Sequence, residues 1–137
     1  MHIRPYEDAD ESGVIDLWRE ALPILAPHHD PATSIRNKLA AERDLFFVAV
    51  IEGMVVGTVM GGYDGHRGWV YSVAVRAVHR RAGIGTALLH RLEQALIERG
   101  CLKVNLQVRV SNAEVVAFYQ KLGYAVEELI SMGKRLY

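Results

Sequence analysis

The stretch Val73-Ala74-Val75-Arg76-Ala77-Val78-His79-Arg80-Arg81-Ala82-Gly83-Ile84-Gly85-Thr86 decides how the rest of the chain is read. An apolar, β-branched run passes through a basic loop carrying two glycines and opens a helix expected from about Gly83 to Arg99. Ile84, Leu88, Leu92, Ala95 and Leu96 fall on one face of that helix, His90, Arg91, Glu93, Gln94 and Glu98 largely opposite, and Gly100 supplies the C′ residue. The first turn of a helix carries N–H groups without intrahelical partners and a partial positive charge, so a loop bending into it can cradle phosphate oxygens. Gly83 and Gly85 leave room for a ligand against the main chain, and Arg80 and Arg81 add local charge. A glycine pair at a helix start also serves as a plain strand-to-helix connection, so the loop alone does not decide function. Two nucleotide motifs fail. G-x-G-x-x-G needs a third glycine where Leu88 stands, and the P-loop pattern needs a Gly-Lys pair where no lysine lies near.

Outward from this stretch the chain reads as one domain, residues 1–137, with no repeat or low-complexity segment. His2 to Tyr6 is a short extended start. Asp8 and Asp10 are capping candidates for a helix bearing Val14, Ile15, Trp18, Ala21 and Leu22, which Pro23 stops. Asp30-Pro31 caps and begins a shorter helix through Ile35 and Leu39. Leu45 to Ile51 and Met54 to Met60 form a hairpin turned at Glu52-Gly53, and Trp69 to Val75 is the next strand. Beyond the long helix come a strand from Val104 to Val110, a helix from Asn112 to Leu122 stopped by Gly123, and an extended stretch from Ala125 to Leu136. The fold class is α/β in the order β-α-α-β-β-β-α-β-α-β.

Sixteen basic residues balance sixteen acidic ones, so no overall positive field exists to hold a nucleic-acid backbone or an anionic membrane. Neither partner is expected. The longest apolar run, Leu45 to Ile51, is far short of the roughly 20 residues that span a bilayer, and the amino-terminal residues show no export pattern. The single cysteine, Cys101, permits no internal disulfide and suits a reducing compartment, so a cytoplasmic location is expected. His28, His29 and Asp30 lack further ligands at metal-site spacing, and no metal is expected.

Arg80-Arg81-Ala82-Gly83-Ile84-Gly85 resembles the R/Q-x-x-G-x-G/A pyrophosphate loop of the GCN5-related N-acetyltransferases (GNAT). The stretch from Asn112 to Tyr124, with Phe118-Tyr119 and Gly123, is similar to that family's second signature, N-x-x-x-x-x-F-Y-x-x-x-G-F/Y. The resemblance covers positions 69 to 124 closely and implies a mixed, mostly antiparallel sheet flanked by helices. It implies an acetyl-CoA dependent N-acetyltransferase, with acetyl-CoA as cosubstrate and an amine as acceptor. Amides from Arg81 through Thr86 would hold the pyrophosphate. The edge of Val73, Ala74 and Val75 would pair with the pantetheine arm where the fourth and fifth strands splay, with a main-chain N–H near Val73 meeting the thioester carbonyl. Tyr119 would protonate the departing thiolate, although Phe118, Tyr119 and Leu122 also fit helical core spacing. Asn112 would reach the CoA arm while capping its helix.

The base is unassigned. Trp69 to Val75 contains no carboxylate, so a water chain is expected, with Asp64 and His66 in the preceding turn able to feed it. The resemblance makes the loop between the first two helices, with His28 and His29, a wall of the acceptor pocket. Two positions depart from the family's habit: Ala77 stands where proline is frequent and Arg81 where glycine is common. Arg81 is therefore expected in a backbone geometry that suits a side chain. A non-catalytic acyl-CoA binding module is the rival reading, and a homodimer through strand edges near the carboxyl terminus is a further expectation.

Overall fold

A computed structural model describes residues 1–137. It falls into two compact units, Met1–Gln107 and Val108–Tyr137. The first contains β1 (His2–Pro5), α1 (Glu11–Ala21), α2 (Pro31–Ala41), β2 (Phe46–Ile51), β3 (Met54–Tyr63), β4 (Gly68–Val75), α3 (Ile84–Glu98) and β5 (Val104–Asn105). The second contains α4 (Ala113–Lys121).

The five strands lie in the order β1-β2-β3-β4-β5, antiparallel except for the parallel pair of β4 and β5. Glu52 and Gly53 both take positive φ, 50° and 77°, the conformation whose twist suits a two-residue hairpin turn between β2 and β3. β3 alternates between two buried faces, which is why its sequence shows an apolar run and no polar stripe. Thr58 and Met60 point toward α1, where Val14, Leu17 and Trp18 pack with Phe46, Val48 and Ala74. Gly57 and Gly61 face α3. A methyl group at Gly57 would meet Leu88 Cδ1 at 2.9 Å, so the two glycines let the helix lie close against the sheet. The expected apolar face of α3 is buried: Ile84, Leu88, Leu92, Ala95 and Leu96.

Helix ends follow their sequence signals. The Asp30 carboxylate accepts from Thr33 N–H at 3.1 Å, with Pro31 in the first helical position. Gly100 takes φ 82° after α3 and Gly123 φ 95° after α4, the left-handed stop that needs no Cβ. Asp10 works differently from expectation. Its carboxylate makes no cap bond to α1; it accepts two hydrogen bonds from Arg4, at 2.7 and 2.9 Å, and one from Glu7 N–H.

Two expected strands are corrected. The strand expected over Val104–Val110 pairs only at Val104 and Asn105, opposite Gly68 and Trp69. The stretch expected to be extended from Ala125 to Leu136 forms no strand. Its apolar residues come as the pair Leu129-Ile130 beside Glu127-Glu128 and do not alternate, so no single face specifies a register. No strand follows β5 in the chain.

Candidate active site

In the first unit β4 carries the decisive irregularity. Thr58 pairs with Ala74 and Met60 with Tyr71, so Val59 alone faces both Ser72 and Val73: a β-bulge. Ser72 sits at φ 50°, in the left-handed region that non-glycine residues seldom occupy. On its other edge β4 is paired with β5 only through Gly68 and Trp69. From Val70 to Val75 that edge carries no ladder, and Val73, Ala74 and Val75 lie in this unpaired length.

The chain leaving β4 is tied to α1. Arg76 donates from Nε to the Val55 carbonyl at 2.9 Å and pairs with Asp16 at 3.1 Å, and Ala77 N–H donates to Glu20 Oε2 at 3.0 Å. One helical turn at Ala77–His79 follows. The next main-chain N–H groups, from Arg81 through Thr86, donate to no backbone or side-chain acceptor of the protein, and the first bond of α3 runs from Ala87 N–H to the Gly83 carbonyl. Six consecutive open donors thus stand at the positive end of a 15-residue helix. Gly83 takes φ 80° at the helix start. Arg81 takes φ 66°, which corrects the expectation of a geometry suited to a side chain: the loop keeps the left-handed bend at this position and the arginine bears its strain. Such left-handed turns aim neighbouring N–H groups into one concavity, the arrangement that binds anions. Arg81, Ala82 and Gly83 are exposed, while Ile84 is buried and anchors the turn. Arg80 folds back, donating from Nε to the Val75 carbonyl at 3.3 Å.

In the second unit Tyr119 is buried and meets Phe118 and Tyr124 edge to face, with ring centroids 5.1 and 5.5 Å away. Burial pushes its phenol up to about 12, further above neutral pH than an ordinary tyrosine. Asn112 occupies the N-cap position, but its side chain makes no cap bond, which corrects the expected dual role; only its carbonyl joins the helix, accepting from Val116 N–H.

The remaining candidates lie in turns. Asp64 accepts from His66 and Arg67 N–H at 2.7 and 2.8 Å, and these bonds hold its carboxyl below the usual range. His66 is exposed, with its ring against Arg67. His29 accepts from Leu25 N–H through Nδ1, and its ring meets that of His28 edge to face. No three His, Cys, Asp or Glu side chains gather as a metal would require. Cys101 is buried against Gly68 and Leu96, as a small apolar residue would be.

Sequence reasoning missed the supports of β4. Thr58 is fully buried, accepts from Trp18 Nε1 at 2.8 Å and donates to the Ser72 carbonyl at 2.9 Å. It also missed Glu42, which accepts from Tyr63 N–H, pairs with Arg99 at 2.8 Å and lies near Lys38, whose ammonium is pushed down by burial. A hydroxyl inside an apolar run was the one signal for Thr58. Nothing in the linear order marks Glu42.

Over residues 12–124 the chain matches the model of the Acetyltransferase (GNAT) family, and it belongs to that family. It is 47% identical over 136 residues to an acetyltransferase of Pectobacterium atrosepticum, covering 99% of this chain and 96% of that protein. Among solved structures, Ard1 from Thermoplasma volcanium superposes with a TM-score of 0.83 and 28% identity, covering 92% of this chain and 83% of that one. PaiA N-acetyltransferase from Thermoplasma acidophilum, in complex with coenzyme A, shares the fold with a TM-score of 0.82 at 19% identity over 94% of this chain and 92% of its own. The mixed sheet and flanking helices expected from the two signatures are those of these neighbours. No helix is long and apolar enough to cross a membrane.

Proposed function

We propose that the chain acts as a single N-acetyltransferase domain, moving acetyl from acetyl-CoA to a primary amine of a small molecule, protein or peptide within a ternary complex. The observation that carries this is the row of six open N–H groups at the head of α3, beside an unpaired β4 edge, in a chain of the GNAT family. The family match spans both compact units, which supports a single domain.

Acetyl-CoA supplies an activated thioester. Amides from Arg81 through Thr86 hold its diphosphate, with Arg80 adding charge, and Val73, Ala74 and Val75 offer the pantetheine arm a strand edge to pair with. The amine nitrogen forms a bond to the carbonyl carbon as the carbon–sulfur bond breaks, and the Val73 N–H stabilises the negative charge that develops on oxygen. Tyr119 donates its proton to the thiolate, a role supported by its place in the second signature, and Asn112 contacts the CoA arm. The amine's proton leaves through water. Asp64 is committed to its own turn and shapes that turn; His66, with His28 and His29, is assigned to the acceptor side. An α-amine, with a pKa near 8, loses its proton more readily than a lysine near 10.4 and is the favoured acceptor class. The single buried cysteine supports action in the cytoplasm.

Titration calorimetry with acetyl-CoA tests the binding half: micromolar affinity is expected, and no binding below millimolar concentration in folded protein defeats the proposal. The absence of a carboxylate on β4 favours one alternative, an acyl-CoA binding module without turnover. Thiol release from acetyl-CoA across a panel of peptide α-amines and small amines separates the two, since a binding module releases none.

A further inference from the structure

The bulge of β4 does not hold itself. Ser72 carries a positive φ without being glycine, a conformation that persists only where its surroundings impose it. What reaches it is a chain of two hydrogen bonds, a buried one from Trp18 Nε1 to Thr58 Oγ1 and a partly buried one from Thr58 Oγ1 to the Ser72 carbonyl, 2.8 and 2.9 Å long. Trp18 is packed between α1 and the sheet, stacked toward Phe46, and Thr58 has no exposed surface. Because the indole can only donate, it takes a lone pair of the hydroxyl and leaves the hydroxyl proton directed at Ser72. Valine at position 58 would fill the same space and lack both bonds.

We propose that Thr58, oriented by Trp18, is a positioning residue for acetyl transfer: it fixes the Ser72 peptide in the bulge and so sets the direction of the adjoining Val73 N–H toward the thioester carbonyl. This rests on the acetyl-transfer reading above. It adds to that reading two residues that belong to neither signature and lie outside the diphosphate loop. The loop is anchored separately, by Arg76 on the Val55 carbonyl of β3 and by Ala77 N–H on Glu20 of α1, so loss of the Thr58 hydroxyl acts on the acyl end of the ligand and leaves the diphosphate end alone.

The test compares wild type, Thr58→Val, Thr58→Ser and Trp18→Phe by titration calorimetry with acetyl-CoA and with CoA, alongside amide resonances of Ser72 to Ala74 in the free proteins. Thr58→Val is expected to weaken acetyl-CoA by about tenfold, the scale of one lost hydrogen bond, while CoA affinity stays within about twofold. Its Val73 resonance moves. Thr58→Ser, which keeps the hydroxyl, restores both readouts, and Trp18→Phe falls between. The proposal is overturned if Thr58→Val weakens both ligands alike or neither, if Val73 keeps its resonance, or if Thr58→Ser loses as much as valine. Should valine prevent folding, Thr58→Ser and Trp18→Phe decide by the same two readouts. Wild type that binds neither ligand sinks the acetyl-transfer reading itself, a result distinct from wild type that binds while the variants match it.

Discussion

Tyr119 carries two demands in one side chain. Its ring packs edge to face between Phe118 and Tyr124, and its phenol, pushed up to about 12 by burial, must still deliver a proton. The phenol is protonated at neutral pH, as an ordinary tyrosine is, and burial makes it a weaker acid, so its proton passes only as full negative charge forms on the departing sulfur. Tyr119→Phe is therefore expected to lower turnover by roughly 10²-fold with acetyl-CoA affinity nearly unchanged, as steady-state rates and calorimetry would show. Unchanged turnover would leave the residue a packing role only. Arg81 shows the opposite economy: its contribution at the loop is made by the main chain, in a left-handed bend that glycine would adopt without strain.

At the scale of elements, the contact between β3 and α3 depends on what the strand lacks. A methyl group at Gly61 would overlap Leu92 Cδ1 and lie 2.9 Å from Cδ2, and Leu92 is fully buried with nowhere to retreat. Gly61→Ala should cost about 1 to 3 kcal/mol by urea unfolding, the usual penalty for overpacking a filled core. Because α3 presents the open amides, a shift of its axis should also weaken acetyl-CoA binding in the same variant. Stability lost with affinity retained would show that the loop is positioned from β4 and α1 alone.

Across the whole molecule the charges balance, so pH acts through individual pairs. Asp10 is opposed by burial, but hydrogen bonds from Arg4 and Glu7 N–H outweigh it and hold its carboxyl below the ordinary 3.8. A carboxyl lowered on folding adds stability that is complete above its unfolded value and is lost as pH falls through its folded one. Asp10→Asn should therefore cost about 2 kcal/mol at pH 7, the scale of hydrogen bonds to a charged group, and progressively less below about pH 4. Urea midpoints of both proteins at pH 7 and pH 3 check this, and a gap that does not narrow in acid would remove Asp10 from the account.

The linear order was enough for features whose cause is local. Asp30 caps α2 because its carboxylate reaches an amide three residues on, Gly100 and Gly123 end helices because only glycine bends leftward without strain, and α3 is legible because burial selects every third or fourth residue. The two signatures were legible for the same reason, since a diphosphate loop is a continuous piece of main chain. What required the folded chain were contacts closed over long separations. Thr58 meets Trp18 across 40 residues, Arg99 meets Glu42 across 57, and the parallel pairing of β4 with β5 ends after Trp69 and Asn105. Local sequence fixes dihedral preferences and amphipathic period, whereas the bulge at Ser72 and the open strand edge exist only once distant segments compete for the same hydrogen bonds.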